Sequence, residues 1–250
     1  MKLFFPLRLI EFLPKGLFEP PVLVYHSIEE NIGVRQDSLS LDNFRRQLNF
    51  FKTNNFDVVS LGKMAEIIKY GKKLDKPTIS ITFDDGYADI FSLVFPLLQE
   101  FGFPAGIFIV VDNIGRDGYV DCRQLKEMSA NDAVNIGNHS LTHAYLPELG
   151  PKGLHYEIGE SKRILEDSLG AKVDFFVYPW GGFTSEIQKI VRDCGYQAAF
   201  TTNMNIYDKC LRGDNLYAIK RLTMNENDSH VRFLIKVSGF GTCFARKMRG

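Results

Sequence analysis

Short β-branched apolar runs alternate along this chain with longer stretches of helical periodicity, and that alternation restricts its fold more than any other feature. Residues 21–25 (PVLVY), 57–60, 78–83 (TISITF), 105–111 (AGIFIVV), 134–137, 173–178 (VDFFVY), 196–201 and 218–222 read as strands. Between them, residues 42–54 read as a helix with Phe44, Leu48 and Phe51 recurring on one face. Further helices are predicted at 61–70, ended by Gly71, at 88–101 with Pro96 inside and Gly102 behind it, and at 121–128. Three more follow at 151–169, 185–194 and 229–237. Strand–helix–strand order implies a parallel sheet, because parallel neighbours need a crossover. Seven or eight strands are enough for a (β/α) barrel, distorted or incomplete. In such folds the chemistry sits just past the C-terminal ends of the strands.

Composition removes several alternatives. Thirty Lys and Arg balance thirty Asp and Glu in the 250 residues, so no net field draws in nucleic acid. There is no Gly-rich phosphate loop and no basic block. Cys122, Cys194, Cys210 and Cys243 are widely spaced without a CxxC pair, which argues for reduced structural thiols. The 21 phenylalanines are chiefly core packing. Residues 1–20 form a separate extension ahead of one domain at 21–250. The extension is apolar and slightly basic, but Pro6, Arg8, Glu11 and Pro14 interrupt any membrane span or signal-type apolar run. It suits either a membrane surface, through Phe4, Phe5, Leu9, Phe12 and Leu13, or a packing role against the domain.

Four polar clusters fall at predicted strand ends. Thr82-Phe83-Asp84-Asp85-Gly86 places two adjacent carboxylates after an apolar strand, one able to bind a metal while its neighbour faces a substrate water. The same residues make an ordinary Asp-Gly turn. His139-Ser140-Leu141-Thr142-His143 sets two of only five histidines four apart, a spacing that on a helical turn puts both imidazoles on one face. Alone, that pair reads as well as surface or capping histidines. Taken together, one carboxylate and two imidazoles form a facial set that suits Zn²⁺, Ni²⁺, Co²⁺ or Fe²⁺ and leaves positions open. Tyr178-Pro179-Trp180-Gly181-Gly182 is a rigid turn able to aim backbone N–H groups at an oxyanion and to offer Trp180 to a sugar ring, or else a structural turn with a packed tryptophan. His26 closes the first strand, where a rim histidine and a general acid are both admissible.

These residues resemble the polysaccharide deacetylase family, carbohydrate esterase family 4. Thr82-Phe83-Asp84-Asp85-Gly86 matches its T-F-D-D-G motif, and His139-Ser140-Leu141-Thr142-His143 matches its H-[ST]-x-x-H motif. The resemblance implies that Asp84 is the general base and that Asp85, His139 and His143 hold the metal. Two departures stand out. The arginine of the usual Arg-Pro-Pro-Tyr-Gly motif is missing from Val177-Tyr178-Pro179-Trp180-Gly181, and no late L-x-x-H follows Leu222. Both are similar to the branch acting on exopolysaccharide poly-N-acetylglucosamine, whose barrel is circularly permuted. By that resemblance His26, in Leu23-Val24-Tyr25-His26, supplies the acid. The oxyanion contact comes from the Trp180 segment, with Tyr178, Pro179 and Gly181 shaping it. Arg221, in Lys220-Arg221-Leu222, is a candidate to replace the missing arginine and orient Asp84, and reads equally well as a surface or ion-pairing arginine.

The expected activity is metal-dependent removal of N-acetyl groups from an amino sugar in a poly- or oligosaccharide, releasing acetate, with Zn²⁺ ahead of Co²⁺ and Ni²⁺. An O-acetyl or other acyl hydrolase, or a carbohydrate-binding relative without catalysis, would use the same motifs. The partner is a carbohydrate and not a nucleic acid. Without a clear signal segment, a cytoplasmic or inner-membrane-associated enzyme is expected, with the cell envelope as the alternative. Neither the glycan nor the oligomeric state is fixed by the residues.

Overall fold

A computed structural model describes residues 20–30, 33, 35, 37–202 and 215–238. The N-terminal apolar residues Phe4, Phe5, Leu9, Phe12 and Leu13, together with Cys210 and Cys243, lie outside the described residues. Ten strands are described: β1 Val22–Tyr25, β2 Ser27–Glu29, β3 Ser38–Ser40, β4 Asp57–Val58, β5 Thr78–Phe83, β6 Ala105–Ile109, β7 Val134–Asn138, β8 Phe175–Val177, β9 Ala198–Thr201 and β10 Ile219–Thr223. Seven of them form a closed parallel barrel in the order β1-β10-β9-β8-β7-β6-β5, with β5 returning to β1. β4 pairs with β5 from outside. The ring is distorted, for β7 and β8 meet only at Asn138↔Phe176. The small parallel pair β2–β3 has no counterpart in the sequence reading, because three-residue strands carry too little periodicity to show.

Among the described residues eight α-helices connect and cover the strands: α1 Leu41–Thr53, α2 Leu61–Tyr70, α3 Phe95–Phe101, α4 Cys122–Ser129, α5 Pro151–His155, α6 Ser161–Leu169, α7 Ser185–Asp193 and α8 His230–Val237. Their ends follow local chemistry. Ser40, Ser60, Thr184 and Ser229 accept from the third following N–H, and Asp121 with Gln124 forms a reciprocal capping box. Gly71, Gly102 and Gly170 stop helices in the left-handed conformation that a side chain disfavours.

Two helices predicted as continuous are interrupted by a wider π turn. Ile90–Val94 precedes α3, where Pro96 occupies the first turn and needs no N–H donor. Tyr156–Glu160 separates α5 from α6. There the Ser161 hydroxyl bonds to the carbonyls of Glu157 (2.5 Å) and Ile158 (3.2 Å) and competes with the helical ladder.

Strand alternation splits the apolar residues into two clusters. Phe108, Phe175, Val177, Phe200 and Ile219 point into the barrel, and Leu61, Met64 and Ile67 of α2 close its lower end. Leu61 packs so tightly on Gly106 that an added Cβ would lie 2.5 Å from its Cδ1. Ile79, Ile81, Phe83, Ile107 and Ile109 point outward under the covering helices. Among the described residues no helix is long and apolar enough to cross a membrane.

Candidate active site

Ser80, Thr82 and Asp84 continue the inward-facing register of β5, so Asp84 emerges at the mouth of the barrel over the end of β10. There Arg221, itself an inward residue two positions after Ile219, meets it with a bidentate pair: Nη1 donates to Oδ1 at 2.7 Å and Nη2 to Oδ2 at 2.6 Å. A further bond runs from Nη1 to Thr82 Oγ1 at 3.2 Å, and the guanidinium lies 5.5 Å from the Phe108 ring centroid. Arg221 is 1% exposed and Asp84 2%. Burial alone would raise the Asp84 pKa. The attraction of Arg221 and then of His139, together with the Arg221 hydrogen bonds, outweighs it and holds the carboxyl at about 2. Asp84 is therefore ionised at neutral pH.

Asp85 reverses direction. It sits at φ 70°, and the Gly86 N–H bonds back to the Asp84 carbonyl at 2.9 Å. This turn carries the Asp85 carboxylate across to the histidine segment. Asp85 Oδ1 lies 3.7 Å from both His139 Nε2 and His143 Nε2, and the two Nε2 atoms are 3.2 Å apart. His139 Nδ1 lies 3.0 Å from the Val177 carbonyl, which can only accept. Nδ1 is thus the donor in that bond, which turns Nε2 toward Asp85. Burial lowers the His143 pKa, His139 lowers it further, and Asp85 only partly offsets them, leaving it at about 4. The His143 imidazole is thus neutral near pH 7 and suited to donate a lone pair. One ligand atom from each of Asp85, His139 and His143 lies within 4.8 Å of the others, which fits a single divalent cation by donor type and convergence.

The two histidines converge, but not on the helical turn that their spacing predicts. Ser140 and His143 have φ 68° and 65°, and no helix spans them. Among the described residues five non-glycine positions have positive φ, and four of them are Asp85, Ser140, His143 and Trp180. A non-glycine residue pays roughly 1–2 kcal/mol for the left-handed region, so these conformations need external support. Ser140 Oγ accepts the His143 N–H at 3.0 Å. The buried Glu157 carboxylate accepts the N–H groups of Leu141 and Thr142, each at 3.0 Å, and the Thr142 hydroxyl at 2.6 Å.

His26 follows β1 and is half-buried, with Nδ1 buried and unpartnered. It lines the same cavity as Asp85, about 330 Å³ in volume, together with Ser27, Arg35, Asp37, Tyr87 and Tyr119. Tyr87 and Tyr119 stack at 5.1 Å, and the Arg35 guanidinium lies 4.1 Å over the Tyr87 ring. Asp89 holds the start of β2, accepting Ile28 N–H at 2.7 Å and the Ser27 hydroxyl at 3.1 Å. Across the site Trp180 has φ 57° and is 71% exposed, its ring edge-on to His143 at 5.0 Å. The rest of that turn is inward. Pro179 and Gly181 are buried, and Tyr178 is 1% exposed with its hydroxyl bonded to the Tyr217 carbonyl at 2.9 Å. Its backbone is committed as well, with its N–H bonded to the Phe200 carbonyl at 3.1 Å and its carbonyl accepting the Gly181 N–H at 2.9 Å, so Tyr178 shapes the turn and presents no free polar group to a substrate.

A family model described as polysaccharide deacetylase matches residues 71–199, just over half of the chain. The chain belongs to that family. It is a carbohydrate deacetylase, and its seven-stranded closed barrel with one strand outside matches the deacetylase fold. YxkH of Bacillus subtilis, a protein classed with the polysaccharide deacetylases, is 27% identical over 85% of this chain and 74% of its own length. The poly-beta-1,6-N-acetyl-D-glucosamine N-deacetylase of Escherichia coli K12 is 25% identical over 48% of this chain, and the match takes in only 20% of that longer protein. Among solved structures, a polysaccharide deacetylase of Bacillus cereus superposes with a TM-score of 0.74 at 25% identity, covering 87% of this chain and 68% of the other. IcaB from Ammonifex degensii gives 0.76 at 22% identity over 88% and 97%.

Neither Arg35, Tyr119, Asp89 nor Glu157 is among the residues that the sequence marks as functional. Tyr87 directly follows the Asp-Asp-Gly turn and has a local signal. The others come from segments whose residues are of ordinary surface type, so only the fold brings them in.

Proposed function

We propose that this enzyme hydrolyses the N-acetyl amide of an amino sugar within a poly- or oligosaccharide, with Asp85, His139 and His143 as the metal ligands and zinc as the first-choice cation. The convergence of those three donors beside a buried, ionised Asp84 carries the reading. When bound there, a divalent cation supplies Lewis acidity toward an acyl oxygen and lowers the pKa of a water at the same site. Asp84 takes a proton from the attacking water, and Arg221 fixes the carboxylate's direction through both of its oxygens. The water oxygen bonds to the acetyl carbon. The backbone N–H of Trp180 donates to the oxygen that gains charge, while Gly181 and Gly182 N–H groups close the turn onto Tyr178 and Pro179 carbonyls. As the C–N bond breaks, His26 hands a proton to the departing nitrogen, giving acetate and a free amine. The exposed indole of Trp180 offers a face to the sugar. The relatives named for poly-N-acetylglucosamine make N-acetylglucosamine oligomers the first substrates to try.

The test is acetate release from N-acetylglucosamine oligosaccharides by protein stripped with chelator and then resupplied with Zn²⁺, Co²⁺ or Ni²⁺. Turnover that returns with stoichiometric metal is expected. Turnover that chelation leaves intact, or unaltered metal uptake after His139→Ala, would rule the reading out.

A further inference from the structure

Within the turn between the two metal-ligand histidines the His143 N–H goes to Ser140 Oγ, and the Ser140 and Leu141 carbonyls accept the N–H groups of Val111 and Asp112. The Leu141 and Thr142 N–H groups both go to one distant carboxylate. Glu157 is 5% exposed and lies in the π turn Tyr156–Glu160. Its Oε2 accepts both Leu141 and Thr142 N–H groups, and its Oε1 accepts the Thr142 hydroxyl. The approach to the segment is tied to the same turn. Asn138, immediately before His139, donates from Nδ2 to Ser161 Oγ at 2.9 Å, and that hydroxyl donates to the Glu157 carbonyl at 2.5 Å. The Ile158 carbonyl accepts the Tyr196 hydroxyl at 3.0 Å, which anchors the π turn to the residues just before β9.

We infer that Glu157 is a positioning residue for the metal centre, holding His139 and His143 convergent through the backbone of Leu141 and Thr142. The inference rests on the metal-site reading above and adds to it a residue that touches neither metal nor substrate. The left-handed conformations of Ser140 and His143 need an acceptor on the inner side of the turn, and a carboxylate with three donors on two oxygens supplies it. A π turn is a common device for re-aiming a side chain at a functional site. Outer groups that orient ligands typically govern metal affinity rather than fold.

The geometry also predicts which replacement rescues. Both N–H groups fall on the same oxygen, so the glutamine of Glu157→Gln can accept both with its carbonyl while its amide donates to the Thr142 hydroxyl. Glu157→Ala removes all three contacts. Metal-free protein is titrated with Zn²⁺ by calorimetry and with Co²⁺ by visible absorption, a readout independent of turnover. Glu157→Ala is expected to weaken Zn²⁺ binding about 10- to 100-fold and to alter the Co²⁺ spectrum. Glu157→Gln should stay close to the parent in both. Leu165→Ala, a buried position in the adjoining α6, serves as the stability control and should lower Tm without moving metal affinity. If Glu157→Ala does not fold, Glu157→Asp carries the same test, since one methylene fewer withdraws the carboxylate from both N–H groups. Parent-like affinity in the alanine or aspartate variant overturns the inference. So does a glutamine variant as impaired as alanine, or equal loss in Leu165→Ala. If the parent itself takes up no metal, the functional reading fails first, and that outcome is distinct from the others.

Discussion

Replacing Arg221 with methionine removes the cation from a pair in which neither partner exceeds 2% exposure. Asp84 then keeps its burial and loses both bidentate bonds. In the intact protein the drop of its pKa from 3.8 to about 2 favours the ionised form by about 2 kcal/mol. Breaking a buried pair from one side usually costs more, about 3–5 kcal/mol, because the remaining charge is stranded. Out of a typical total of roughly 5–15 kcal/mol, that is a large share. The pH dependence gives the sharper check. A depressed carboxyl pKa contributes stability that is present above 3.8 and fades as pH falls toward 2. In Arg221→Met burial is opposed only by the weaker attraction of His139 and His26, Asp84 binds its proton at higher pH, and a neutral carboxyl needs no cation. The variant's deficit should therefore be largest near neutral pH and shrink on acidification. Urea unfolding of metal-free protein at pH 7 and pH 4 measures this, and the acid limb of acetate release should move to higher pH. A deficit under about 1 kcal/mol, or one that grows as pH falls, would refute the idea that Arg221 sets the state of Asp84.

Other substitutions separate chemistry from folding. His26→Ala should lower kcat by about 10²- to 10⁴-fold with an unchanged Tm, since its role as acid is exercised only in turnover; parent-like kcat would remove it from the mechanism. Trp180 is exposed at φ 57°, so Trp180→Gly should be about 1–2 kcal/mol more stable than Trp180→Ala by thermal unfolding, while both raise KM for oligosaccharides. Equal stability of the two would mean that no strain is stored at the turn. Gly137→Ala puts a Cβ 2.4 Å from the Phe108 ring and 3.2 Å from the Phe175 carbonyl inside the barrel. With no room to yield, it should cost about 1–3 kcal/mol in denaturant unfolding; a neutral result would show that Phe108 can move aside.

The residues we propose for the chemistry were legible in the sequence, and those that hold them were not, for a physical reason. Few side chains bind a divalent cation or move a proton near neutral pH, so Asp84, Asp85, His26, His139 and His143 stand out by type at strand ends. Arg221 could be paired with Asp84 only by asking what replaced a missing arginine. Holding a backbone N–H, by contrast, needs any acceptor at the right place, and Glu157 and Asp89 look like ordinary helix carboxylates. The same division appears in the backbone. Strands β5 to β9 were placed within about two residues because burial on both faces writes itself as apolar runs. The π turns at Ile90–Val94 and Tyr156–Glu160 leave the apolar pattern nearly intact while shifting where the next side chain points. Both shifts fall beside a carboxylate that binds a site loop: Asp89 toward Ser27 and Ile28, Glu157 toward Leu141 and Thr142. The left-handed positions at Asp85, Ser140, His143 and Trp180 are invisible for the same reason, since none is a glycine. Local preference would have straightened each of them. Acceptors supplied from elsewhere in the fold hold the histidine turn in place, so its catalytic geometry is a property of the closed barrel and not of the motifs that announce it.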